Sequence, residues 1–142
     1  MALMGLDISE TREVISKYDP DTNNPTVFEI GVLEPIVRAQ IDDESSSFEI
    51  SSNNPNDPAK ASINTNKRDI MAVRFGLKGI KNFIHPQTKK EIPFRTEAVH
   101  YAGKMRDVVS FSIIDMIPAK VRKELAGVIL SENRMSEQEE KN

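Results

Sequence analysis

The chain has 142 residues, 38% apolar and 29% charged, with a net charge of −3 and a pI near 5.5. That length suits one domain with one core, and the acidic balance offers no basic track for nucleic acid. The absence of cysteine excludes disulfides, thiolate catalysis and Cys-based metal sites, and no apolar run approaches the roughly 18 residues of a membrane-spanning helix.

Residues 1–25 open on Leu3, Met4, Leu6 and Ile8. They lack a basic stretch followed by a long apolar one, so no signal peptide is expected. The run Ser9 to Tyr18 predicts a short helix capped by Ser9, and Asp19 to Pro25, with Pro20, Asp21 and Asn23, predicts a turn-rich connector. Thr26 to Leu33 predicts a strand, because Phe28, Ile30 and Val32 alternate among β-branched neighbours. Glu34 to Ile41 predicts a helix, with Pro35 in its first turn and Val37 and Ile41 on one face.

Residues 42–66 are dominated by Ser, Asn, Asp and Pro, which leaves two readings, a long loop or a short edge hairpin around Phe48 to Ile50. A loop with at most one weak strand is favoured, because no run there could bury a continuous face. Asp69 to Leu77 then predicts a helix with Asn64 or Asn66 as cap, although Met71, Val73 and Phe75 also alternate as in a strand. Gly76 and Gly79 predict a backbone corner. Lys81 to Ile84 and Glu91 to Phe94 form two short arms around a turn at His85 to Lys90. The stretch Asp69 to Phe94 holds three of the six phenylalanines (Phe75, Phe83 and Phe94), which makes it the expected centre of the core.

Beyond it, Thr96 to Ala102 predicts a helix ended by Gly103. Met105 to Ile117 predicts a buried helix, and Ala119 to Glu132 a helix led by Pro118. The expected fold is α+β: a small single domain with a short sheet or hairpin and a helical C-terminal half. The domain would span 26–134 and contain a polar loop at 42–66, after an N-terminal segment and connector at 1–25, with an acidic flexible tail at 135–142.

Candidate chemistry is sparse. His85 sits before a proline in a turn, and His100 has no ligand spacing around it, so neither predicts a metal site. Asp42, Asp43 and Glu44 cluster in a polar stretch, where solvation accounts for them. Asp19, Asp21 and Asn23 have the opening spacing of a calcium loop, but its glycine and glutamate positions hold Asn24 and Ile30. Gly76 to Lys81 lacks the order of a phosphate-binding loop. No catalytic, cofactor or metal residue is assigned. A triad assembled in space leaves no linear trace, which keeps a small enzyme as a minor third class.

The order of elements resembles small tail assembly chaperones and accessory proteins encoded in bacteriophage tail-gene clusters. Val73 to Phe83 (VRFGLKGIKNF) and Lys90 to Phe94 (KEIPF), followed by Thr96 onward, carry the likeness; PTVFEIGVLEP matches more loosely. Two positions depart from the pattern: Ile80 stands where a Trp is common, and His85-Pro86-Gln87 replaces an Asp-Gly turn.

The resemblance implies a non-enzymatic protein of the host cytoplasm that needs no cofactor. It would hold tape-measure and tail-tube proteins, or copies of itself, and would engage neither nucleic acid nor membrane. It also implies a partner-binding stripe at Val121, Leu125, Val128 and Ile129, residues for which ordinary core is the favoured reading. The alternative is a structural subunit of the virion (neck, tail or decoration) that uses the polar loop as an arm between subunits.

Overall fold

The computed structural model describes residues 2–49 and 60–141, with side chains over 2–46 and 63–131. In chain order the elements are β1 (Thr11–Ile15), β2 (Val27–Gly31), α1 (Pro35–Ser45), β3 (Ser46–Glu49), β4 (Lys60–Ile63), α2 (Thr65–Gly76), β5 (Leu77–Lys81), β6 (Thr96–Tyr101), β7 (Lys104–Val109), α3 (Phe111–Met116) and α4 (Ala119–Lys141). The α+β class expected from the sequence is the one observed. An antiparallel sheet of order β1-β2-β5 and two separate antiparallel pairs, β3-β4 and β6-β7, sit among the helices.

The core forms where these pieces meet. Phe28 and Ile30 from β2, Val37 and Ile41 from α1, Val73 and Phe75 from α2, and Leu77 and Ile80 from β5 are buried together. They join Val108, Val109, Ile113, Ile114 and Ile117 from the following segment, and Leu125, Ala126 and Ile129 from α4. Asp69 to Phe94 supplies much of this centre, as expected.

Helix α2 is the hub, packed on α1, α3 and α4 and running straight into β5. It starts where Asn64 Oδ1 accepts the Lys67 amide at 3.1 Å, which satisfies one of the donors that a helix start leaves unpaired. Pro35 opens α1 at a position where its missing N–H costs nothing. The preceding Glu34 accepts no capping hydrogen bond from the helix start; its carboxylate accepts one from Arg106 Nη1 at 2.6 Å instead.

Four expectations need correction. Residues 11–15 form β1, paired with β2 from Thr11↔Gly31 to Ile15↔Val27, where a helix was expected. The domain therefore takes in part of the segment set apart as 1–25. Residues 42–66 are not one loop: α1 continues to Ser45, two short strands pair from Ser46↔Ile63 to Glu49↔Lys60, and α2 already begins at Thr65. The strand expectation at Ile50 lies outside the described residues.

Thr96–Tyr101 and Lys104–Val109 form a hairpin, not two helices, so of the long helix expected over 105–117 only α3 remains. Its turn places Ala102 at φ 50° and Gly103 at φ 88°, the left-handed pair that suits a two-residue hairpin loop. Finally, the backbone of α4 is helical through Lys141, where the helix was expected to end at Glu132.

Candidate docking groove

The groove is built by the far end of the three-stranded sheet. Where β1 and β5 finish and β2 begins, the turn 16–26, the arm 82–84 and the start of α4 enclose about 530 Å³. Its walls include Tyr18, Phe28, Phe83, Ile84, Pro118 and Val121. The volume lies within the roughly 300–1,000 Å³ span of protein binding clefts.

Polar side chains fix its shape. Asp19 accepts the amides of Asp21 (2.9 Å) and Thr26 (2.8 Å), and Asp21 accepts those of Asn23 and Asn24, so the turn is tied by carboxylates. This is what the calcium-like spacing does in the fold. Asn82 takes φ 60°, which asparagine tolerates better than most residues. Its side-chain amide donates to Asn24 O at 2.6 Å, and its backbone N–H donates to Glu91 at 2.8 Å. Thr26 Oγ1 donates to Asn82 O at 2.8 Å, locking the two walls together.

The expected two arms reduce to the bridge Ile84↔Glu91, supported by Ile92 N–H to Phe83 O (2.7 Å) and His85 N–H to Lys90 O (2.9 Å). His85 Nδ1 accepts the Gln87 and Thr88 amides, so this histidine shapes a turn.

The groove mouth carries apolar side chains and charges of both signs. Tyr18 and Ile84 are 47% and 44% exposed, high enough to meet a partner without unfolding anything. Lys17 and Lys120 place their ammonium groups 5.2 and 5.8 Å from the Tyr18 ring centre, and Lys89 lines the wall.

A second cleft of about 210 Å³ opens at the other end of the sheet, between Ile8, Val32, Glu34, Lys78, Lys104, Met105 and Arg106. The register shift between Glu29 and Ile30 leaves Lys78 as the extra residue of β5, and its stem crosses Gly31. Burial pulls the Lys78 amine below its usual range, while the Arg106 hydrogen bond holds the Glu34 carboxyl below its own. Arg106 also donates to Tyr101 O and Ala102 O, so this cluster ties α1 to the β6–β7 hairpin.

The stripe at Val121, Leu125, Val128 and Ile129 does not form an open face. Leu125 and Ile129 are completely buried against the core, and Val121 and Val128 are half-buried beside them. Val121 alone of the four reaches the groove wall.

Asp42 pairs with Arg38 and Arg68, each at 3.3 Å, and His100 lies exposed on β6. Among the described residues, no group of three or more His, Asp or Glu is placed to hold a metal ion, and no helix is long and apolar enough to cross a membrane.

Sequence reasoning missed the groove because its walls come from segments up to a hundred residues apart. The signal present was the asparagine- and aspartate-rich turn at 19–24 ahead of Phe28. No family model, curated protein or solved structure matches the chain.

Proposed function

We propose that the chain is a phage-encoded, non-enzymatic assembly protein that binds tape-measure or tail-tube proteins during tail morphogenesis in the host cytoplasm. The observation that carries this reading is the groove: an apolar cleft with exposed Tyr18 and Ile84 at its mouth, beside the Val73–Phe83 run that bears the resemblance. Its dimensions and lining suit the apolar face of an amphipathic segment. The carboxylates and amides around it are spent on holding turns, which favours recognition over chemistry.

One observation favours the alternative of a virion subunit. Strands β3 and β4 pair with each other and with no other strand among the described residues, forming a two-stranded ribbon at the junction of α1 and α2. Such a ribbon can clasp a neighbouring subunit by edge pairing.

Co-expression with the tape-measure and tail-tube proteins of the same gene cluster, followed by affinity capture, tests the first reading. Capture of either protein, reduced at least about tenfold by Ile84→Glu, is expected. Stoichiometric presence of the chain in purified virions, with no capture from lysate, would instead establish the subunit role.

A further inference from the structure

Lys78 stands apart from the pairing of its strand. On β2, Glu29 pairs with Gly79 and Ile30 with Leu77, which leaves Lys78 as an extra residue that bulges from β5. Its aliphatic stem lies along the bare backbone of Gly31, where an added Cβ would come within 3.0 Å of Lys78 Cε and 3.2 Å of Cγ. The residue is open to solvent and lines the cleft of about 210 Å³ at the end of the sheet away from the groove. Apolar side chains of Val32, Val37, Phe75 and Met105 form much of that cleft's wall.

The charged groups around this amine are engaged with one another. Arg106 donates to Glu34, Tyr101 O and Ala102 O, and Lys104 stands 4.0 Å from the same Glu34 carboxylate. Asp107 lines the cleft on β7, Glu29 faces Gly79 across the β2–β5 pairing, and Asp7 is held by the Ser9 amide and hydroxyl. Glu10 approaches Gly31 with its backbone oxygen. Among the described residues, the Lys78 amine makes no hydrogen bond and no ion pair. The cleft sets Arg106 and Lys104 against Glu34 and Asp107. Their fields largely cancel, so partial withdrawal from water decides the balance between ammonium and amine. Withdrawal favours the uncharged amine, and burial is the first cause of the lowering at Lys78. A lysine freed of its proton is a nucleophile.

We infer that Lys78 is a modification site, at which its amine condenses with a short-chain aldehyde held in this cleft. The nitrogen lone pair adds to the carbonyl carbon, and a proton passes from nitrogen to the carbonyl oxygen. Loss of water from the carbinolamine leaves an imine, with nothing oxidised or reduced. The volume sets the size of the electrophile, because it lies below the roughly 300–1,000 Å³ of clefts that hold drug-sized ligands. It leaves no room for the bulky leaving group of a biological acyl donor. The balanced charges favour a neutral carbonyl over an anionic one, and the alkyl chain meets the apolar wall. This site is separate from the groove at the far end of the sheet, and it stands whichever partner that groove takes.

Lys81, on the same strand, provides the internal control: its side chain is 69% exposed and lies 3.5 Å from Glu13. The full chain is treated with limiting propanal and cyanoborohydride, whose hydride reduces each imine to a stable secondary amine. Propylated lysines are then mapped by mass spectrometry. At about pH 7, initial labelling of Lys78 is expected to exceed that of Lys81 by at least about fivefold. The preference should shrink toward parity as pH rises past 10.5, the ordinary lysine value, because both amines then lose their protons. Equal labelling at neutral pH, or a preference that ignores pH, would overturn the inference.

Two further arms test the cleft itself. Naphthaldehyde is too wide for it, so the preference for Lys78 should be at least about threefold smaller than with propanal. A preference as large as propanal's would place the reaction outside the cleft and overturn the inference. Met105→Asp, at a position 60% exposed, sets a new carboxylate on the cleft wall and favours the ammonium form of Lys78. Labelling of Lys78 at about pH 7 is expected to fall at least about threefold in this variant, with Lys81 unchanged and the thermal melt retained. Undiminished labelling in the folded variant would also overturn the inference.

Discussion

At the scale of single residues, the glycines of the central stretch act through packing and not through backbone freedom. A Cβ on Gly76 would lie 2.7 Å from Ile129 Cγ2 and 2.8 Å from Cδ1, so the glycine sets how closely α4 approaches α2. Gly76→Ala is expected to destabilise the fold by about 1–3 kcal/mol through overpacking. In a double-mutant cycle with Ile129→Ala, the pair should cost measurably less than the sum of the singles, read from denaturant midpoints. Additive costs would mean that the contact does not set the spacing.

Glu34 gives the fold a pH dependence whose sign follows from its partner. Arg106 holds its folded carboxyl below the usual 4.5, so the unfolded chain binds the proton more tightly. The stabilisation from this pair is therefore complete above about pH 4.5 and is lost as pH falls through the lowered folded value. Asp69 runs the other way: burial raises its pKa, so acid relieves a penalty there. Glu34→Gln should flatten the acid limb of the stability profile between pH 5 and 3, measured by chemical denaturation at each pH. An unchanged limb would place the pair outside the folding balance.

At the scale of elements, Arg74 is the staple between the central helix and the hairpin. Its side chain is only 6% exposed. One guanidinium nitrogen donates to Val109 O at 3.0 Å, another reaches Glu97 at 2.8 Å, and the plane lies 3.7 Å from the Phe111 ring centre. Arg74→Met keeps much of the stem packing but orphans the Val109 carbonyl, with an expected loss of about 2 kcal/mol. Glu97→Gln should cost far less, because that carboxylate is half exposed and its pairing is screened. Thermal melts of both variants check the ranking.

The same hairpin explains where the sequence misleads. Along β7, Met105 points out at 60% exposure while the Arg106 side chain turns in at 8%, which inverts the alternation that marks a strand. Val108 and Val109 are both buried, which mimics a helix stripe. In β1 only Val14 packs toward the core, and Arg12 shares its face opposite Ile30, as suits an edge strand guarded by charge. β1 is fixed by its pairing with β2 across the intervening turn, whereas the β6–β7 hairpin pairs locally and is disguised by burial that other elements impose on Arg106, Val108 and Val109. By contrast, β2, α1, α2 and α4 were legible, because Phe28–Ile30, Val37–Ile41, Asn64 with Val73, and Pro118 with Leu125 and Ile129 carry their periods and caps locally.

At the scale of the whole molecule, the groove is a product of topology. The sheet order β1-β2-β5 brings residues 16–26 beside 82–84, and the α2–α4 packing carries Pro118 and Val121 to the same place. Leu125 and Ile129 of the α4 stripe are buried in the core, and the proposed docking surface is the sheet end. This is the central claim. Under the proposed function it is tested most directly by hydrogen–deuterium exchange of the chain alone and in the presence of a phage tape-measure or tail-tube protein. The account predicts slowed exchange confined to residues 16–28, 82–85 and 119–122, with the amides of β6 and β7 unchanged; protection that spares the groove and falls on β3 and β4 or the outer face of α4 would contradict it.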